Sequence, residues 1–230
     1  IDATDQAWFL GLKQLLDTYD ATFINTLEEE EKRNYKRFRD FITPMAHQYC
    51  QPNHVLLYSS SEYQVSLYST INAAITAATH PGDLVWLCPG TYYETINLVA
   101  RKHLLIYGDQ AQLRTRLPKT TIITLKDSQT IEIAGLHLLH EIADAATENG
   151  IEITHSSHIH LHDNNIEAGY YGILLTDVHN AEITGNHLHF SQEGLSASNS
   201  SNIFLKDNRF FDNTRHDISV SGKTAADTFR

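Results

Sequence analysis

The chain has 230 residues, 41% of them hydrophobic and 20% charged, which suits one or two globular units with a sizeable core. Twenty-eight acidic residues against 17 basic ones leave a formal charge of −11, so nucleic acid is excluded as a natural partner and polyanionic sugars are disfavoured. No apolar run approaches the roughly 20 residues of a membrane span. The opening stretch IDATDQAWFLGLKQLL lacks the pattern of a signal peptide. Because the chain begins at Ile1 and not at Met, it reads as processed or trimmed, and its compartment is not legible.

The first fifty residues read as helical. Trp8, Phe9, Leu12, Leu15, Leu16 and Tyr19 share one stripe with helical periodicity. A second helix is expected from TLEE, where Thr26 caps and Glu29 completes a capping box. Tyr35, Phe38, Phe41 and Ile42 form its apolar side before Pro44, and EEEEKR (28–33) is a solvated face. Residues 50–61 form a connector with one strand-like run, VLLY (55–58). Cys50 and Cys88 are a lone pair in a long chain, no disulfide framework, and are expected as two free thiols. STINAAITAAT (69–79) then predicts a short helix capped by Ser69, with Ile71, Ala74, Ile75 and Ala78 on its buried side. HPGD (80–83) turns the chain. The expected division is a helical segment with its connector over 1–68, and a β domain over 69–230 whose first helix plugs one end.

From there on the chain repeats. IHLHDNNIEAGYYGILLTDV from Ile159, AEITGNHLHFSQEGLSASNS from Ala181 and IFLKDNRFFDNTRHDISVSG from Ile203 align at an offset of 22 residues. Ile159, Ala181 and Ile203 fall in one column, as do Leu161, Ile183 and Leu205, Asn164, Asn186 and Asn208, and Ile166, Leu188 and Phe210. One extra residue enters late in the third copy, so Ile218 follows Leu195. Upstream, Ile122 is aligned with Ile151 across an insertion, HEIADAATENG (140–150). Such short strands cannot close a core alone, whereas stacked turns pairing in parallel about 4.8 Å apart can. The asparagines are expected to stack at a bend, taking up its unusual dihedrals and bonding to one another. The pattern predicts a coiled parallel sheet and not a sandwich.

PGDLVWLCPGTYYETINLVARKHLLIYGD (81–109) resembles the opening turns of right-handed parallel β-helix proteins of the pectin-lyase-like superfamily. The later GI and GN.L pattern is similar to the short β-helix repeats of carbohydrate-binding and sugar-hydrolase domains, copper-processing periplasmic proteins and some F-box proteins. The resemblance covers about residues 69–221. It implies a mainly β fold, a right-handed solenoid of roughly six turns behind an N-terminal α-helical segment. It leaves function open, because that scaffold serves lyases, hydrolases, epimerases and binding modules.

The resemblance also implies that IEIT (151–154), ILLT (173–176), LSAS (195–198) and ISVS (218–221) line a ligand groove. Their outward positions are Glu152, Leu174, Ser196 and Ser219, then Thr154, Thr176, Ser198 and Ser221. Glu152 alone is ionisable, whereas a retaining glycosidase needs two carboxyls about 5–5.5 Å apart. A second acid would have to come from Glu141, Asp144, Glu148 or Glu193. A column of Tyr171, Glu193 and Arg215, with Tyr170, His216 and Asp217 nearby, suits recognition better: tyrosine rings stack on a sugar or anchor a peptide, and Glu and Arg fix its polar groups. The expected ligand-binding set is therefore Glu148, Glu152, Tyr170, Tyr171, Glu193, Arg215 and His216.

HSSHIHLHD (155–163) raises the question of a metal. His158, His160 and His162 alternate along a strand and share one face. His160 and His162 with Glu182 would supply two nitrogens and an oxygen. Lys206 opposes a cation, nothing in the sequence encloses the site, and the strand is not a groove strand. The cluster is thus read as a solvated outer face, with His155 paired to Asp177 and no metal or cofactor. The expected function is a non-catalytic recognition module for a glycan or a polypeptide, against a polysaccharide hydrolase or lyase using loop carboxylates. The short tail KTAADTFR after ISVSG predicts either a further segment or self-association through that end.

Overall fold

The computed structural model describes residues 46, 48–61, 64–141 and 148–222. The helices expected over residues 1–42 and the insertion's Asp144 lie outside them. In chain order the strands are β1 (Val55–Ser59), β2 (Gln64–Tyr68), β3 (Asp83–Leu87), β4 (Gly90–Tyr92), β5 (Ile96–Val99), β6 (Lys102–Thr115), β7 (Ile123–Lys126), β8 (Gln129–His140) and β9 (Ile151–Thr154). There follow β10 (Ser157–His162), β11 (Asn165–Glu167), β12 (Tyr171–Thr176), β13 (His179–Thr184), β14 (His187–His189), β15 (Glu193–Ser198), β16 (Ser201–Lys206), β17 (Arg209–Phe211) and β18 (His216–Ser221). Helix α1 (Ile71–Ala77) lies between β2 and β3.

The chain is mainly β, and the strands form two sheets. The first runs β16-β13-β10-β8-β6-β3-β1-β2, with β4, β11, β14 and β17 attached beside it; the second runs β18-β15-β12-β9-β7-β5. Pairing is parallel except at the connector, where β1 is antiparallel to both β2 and β3. The repeat columns are the observed registers: Ile159 with Ala181 and then Ile203, Leu161 with Ile183 and then Leu205, Ile166 with Leu188 and then Phe210. This is a β-helix-like arrangement. One alignment shifts: Ile151 pairs with Ile123, not Ile122, because the insertion hides the register upstream of it.

Alternation along each strand produces the core. In β9, Ile151 and Ile153 point inward and are buried while Glu152 and Thr154 are partly exposed, and β12 repeats the pattern. The inward aliphatics of both sheets merge into one cluster from Val55 to Ile203. In β18, Ile218 and Val220 occupy the same columns but are exposed.

The bends are held by side-chain ladders. Asn164 donates from its backbone and its amide to Asn186 Oδ1, each at 3.0 Å, and Asn186 donates likewise to Asn208 Oδ1. The asparagines do not carry the unusual dihedrals themselves. Asp163, Gly185 and Asp207, one residue earlier, take the left-handed conformation (φ 52°, 65° and 56°), leaving the Asn amide free to bond. Elsewhere, Ser128 N–H bonds to Ser156 Oγ and Val178 N–H to Ser200 Oγ. Gly150, Gly172 and Gly194 stack where a Cβ would meet the next turn's carbonyl oxygen: on Gly172 it would lie 2.5 Å from Gly194 O.

Helix α1 is capped by Thr70, whose side chain accepts from Ala73 N–H, and not by Ser69. Glu94 accepts from the Ile71 and Asn72 N–H groups, and the Arg101 guanidinium donates to the Ile75 and Ala78 carbonyls. Ile71, Ala74, Ile75 and Ala78 are buried in the core beside Val55 and Leu57, as the periodicity requires.

The cysteines are not free thiols. Cys50 and Cys88 are disulfide-bonded with Cα atoms 5.4 Å apart. The antiparallel pairing of β1 and β3, extended by Cys88 N–H to the His54 carbonyl, brings them together. Their spacing in sequence carried no sign of this. The bridge borders a second apolar cluster on the outer face of the first sheet, formed by Ala46, Leu56, Tyr58, Leu84, Trp86, Cys88, Leu105, Tyr107 and Ala134.

Candidate functional site

Two outward faces concentrate chemistry. On the second sheet, strict register stacks Asn97, Thr124, Glu152, Leu174, Ser196 and Ser219 in one column. Val99, Lys126, Thr154, Thr176, Ser198 and Ser221 form the next. Thr154, Thr176, Ser196, Ser198, Ser219 and Ser221 give the later turns of these columns small hydroxyl side chains. Beside them, Tyr170 and Tyr171 form an edge-to-face pair with centroids 4.4 Å apart. Burial, then the hydrogen bond with Tyr170, pushes the Tyr171 phenol up to about 12, so it stays protonated.

The other residues expected around the groove divide. Arg215 is exposed and reaches the Tyr170 hydroxyl at 3.4 Å and Glu193 at 3.8 Å. It leaves the Tyr171–Glu193 column, because Arg215 and His216 N–H both bond to Gln192 O and His216 takes the position opposite Glu193. That is where the extra residue of the third copy is absorbed. Glu193 is buried, accepting from the Ser219 hydroxyl. Glu148 is 0% exposed, so no ligand outside can reach it. It lies 3.6 Å from His140, whose imidazole burial holds below its usual range. Glu152 remains on the face, accepting from Thr121 and Asn149, each at 3.2 Å. Glu141 is clamped by Arg116 and Arg114, which hold its carboxyl below the usual range.

The outer face of the first sheet overturns the reading of the histidines. His155 does pair with Asp177 on the surface, at 3.4 Å. His160 and His162, by contrast, are 8% and 3% exposed and not solvated. Their columns continue the apolar face: Leu84, Leu105 and Glu132 lead to His160 and Glu182, and Trp86, Tyr107 and Ala134 lead to His162. Glu132, itself 3% exposed, comes from the turn before and not the turn after. One ligand atom from each of Glu132, His160 and His162 lies within 4.8 Å of the others. The signal for Glu132 was present, since TIEI (130–133) matches HIHL (158–161), but the insertion masked the alignment. Two imidazoles and a carboxylate are a donor set for a borderline divalent metal.

A family model described as "Periplasmic copper-binding protein (NosD)" matches residues 105–227. No curated protein matches the chain. Among solved structures it is similar to a candidate glycosyl hydrolase from Parabacteroides merdae ATCC 43184, at 11% identity and a TM-score of 0.41 over 64% of this chain and 81% of that one. That likeness is too loose to carry a functional argument.

Proposed function

The chain belongs to the NosD family, described as periplasmic copper-binding, and from that premise we propose a non-catalytic recognition module. It winds as a right-handed parallel β-helix and grips a glycan or a polypeptide along the outer face of its second sheet. What supports this reading is the register-matched columns of hydroxyl side chains beside the Tyr170–Tyr171 pair and Arg215. Rigid tyrosines offer contact area at low entropy cost, while hydroxyls about 4.8 Å apart suit a repeating ligand. Glu152 has Thr124 and Leu174 as its neighbours in the column, not a second carboxyl at the separation that glycoside hydrolysis needs. The disulfide supports an oxidising compartment, in keeping with the family's description. For copper, the group that fits among the described residues is Glu132, His160 and His162.

Glycan and peptide arrays, followed by titration of the best ligand, test the recognition reading. Tyr171→Ala and Arg215→Ala should each weaken binding by about 1–2 kcal/mol with the fold retained, and Glu152→Gln should change little. Turnover of any glycan that Glu152→Gln abolishes would replace this reading with that of a polysaccharide-active enzyme.

A further inference from the structure

We propose that Glu132, His160 and His162 form a divalent transition-metal site on the outer face of the first sheet, oriented by Asp163 and Tyr107. The inference shares its metal with the copper reading above, rests on geometry, and is tested apart from glycan binding.

His160 and His162 are two residues apart on β10, so both project from the same face, and Glu132 pairs with His160 from β8. Ligands about 2.1 Å from a tetrahedral ion lie roughly 3.4 Å from one another. His162 Nε2 and Glu132 Oε1 stand at 3.4 Å, and His160 Nδ1 is 4.0 Å from Glu132 Oε2. Small rotations of the side chains close the set.

The surroundings of His162 point the same way. Its Nδ1 lies 3.1 Å from Asp163 Oδ2, while its Nε2 faces Glu132. A neutral imidazole has one N–H, so it cannot donate to both carboxylates. With the proton on Nδ1, donated to Asp163, the Nε2 lone pair is aimed at a carboxylate oxygen. A metal ion between them would take both atoms as ligands. The Asp163–His162 contact is then the outer carboxylate that fixes tautomer and ring orientation in metal sites. Tyr107 holds the third ligand by donating its hydroxyl to Glu132 Oε1, and Glu182 Oε1, 3.9 Å from His160 Nε2, braces the second. Nitrogen and carboxylate donors of this kind select Zn²⁺ or Cu²⁺ over Mg²⁺ or Ca²⁺.

The experiment uses the untagged chain, stripped with chelator and titrated with Zn²⁺ and Cu²⁺ by calorimetry, with electron paramagnetic resonance on the Cu²⁺ form. The expected result is one tight equivalent and superhyperfine structure from two imidazole nitrogens. His162→Ala and Glu132→Gln should each weaken affinity at least tenfold, and Asp163→Asn by about 10–100-fold. His155→Ala, at the surface pair, should leave it unchanged. Binding that survives His162→Ala, or that tracks His155, would assign the metal to surface histidines of this 14-histidine chain and overturn the site. No tight equivalent at all would leave a purely structural polar cluster and overturn it too. If the variants do not fold, the nitrogen count in the wild-type Cu²⁺ spectrum decides, and fewer than two refutes the assignment.

Discussion

Replacing Asn186 by alanine removes the middle rung of the asparagine ladder. The side chain is 0% exposed. Its Oδ1 accepts from the backbone and the amide of Asn164, and its Nδ2 donates to the Leu161 carbonyl at 2.8 Å, the Thr184 carbonyl at 3.2 Å and Asn208 Oδ1 at 3.0 Å. Some partners keep other bonds: Asn164 Nδ2 still reaches the Ile133 carbonyl, and Asn208 Oδ1 still accepts from the Asn186 backbone. The Asn164 N–H and the Leu161 carbonyl each lose their ladder bond inside the fold. At about 1–3 kcal/mol for each orphaned group, the expected loss is about 2–6 kcal/mol. For a chain of this size that lowers the melting temperature by at least about 4 °C. Thermal and urea unfolding followed by circular dichroism reads it. Asn208→Ala is the internal comparison, since that rung is only partly buried and water replaces its bonds more cheaply. Equal losses at the two positions, or an unchanged midpoint for Asn186→Ala, would refute the reasoning.

Gly172→Ala places a Cβ 2.5 Å from the Gly194 carbonyl oxygen and 3.1 Å from Leu188 Cδ2, so it should cost about 1–3 kcal/mol of stability in unfolding experiments. Gly169→Ala, where the nearest atom is the Glu148 side chain at 3.2 Å, should cost less. Changing Cys50 and Cys88 to Ser releases a 38-residue separation and should lose about 4 kcal/mol by loop entropy, matching the reduced wild type in a melting assay. Burial is the first cause holding His137, His140 and His189 below the usual imidazole range. The unfolded chain therefore takes up protons first, so their contribution is complete above about pH 6.5, declines below it and is lost as pH falls through the lowered folded values. The urea midpoint should drop between pH 7.5 and pH 5.5, and a higher midpoint at the lower pH would contradict this.

Periodicity alone determined the architecture of residues 151–221. Inward aliphatics and one asparagine recurring every 22 residues admit few arrangements other than parallel strands stacked in register. The helix before β3 was legible from its apolar stripe, a local signal, although its cap is Thr70 and not Ser69. The outward columns of the second sheet followed from the same repeat, because outward positions alternate with the core. Sequence could not reveal depth. Glu148 and Glu193 look like loop carboxylates yet are buried, because neighbouring turns close over them. His160 and His162 look like a wet face, yet they continue the columns that Leu84 and Trp86 begin several turns away. Glu132 meets them only through register across an insertion, and Cys50 meets Cys88 only through antiparallel pairing across the connector. A repeat states what lies one turn above. What covers a face, and what an insertion brings beside it, are set by contacts between residues far apart in the chain, and only the folded structure contains them.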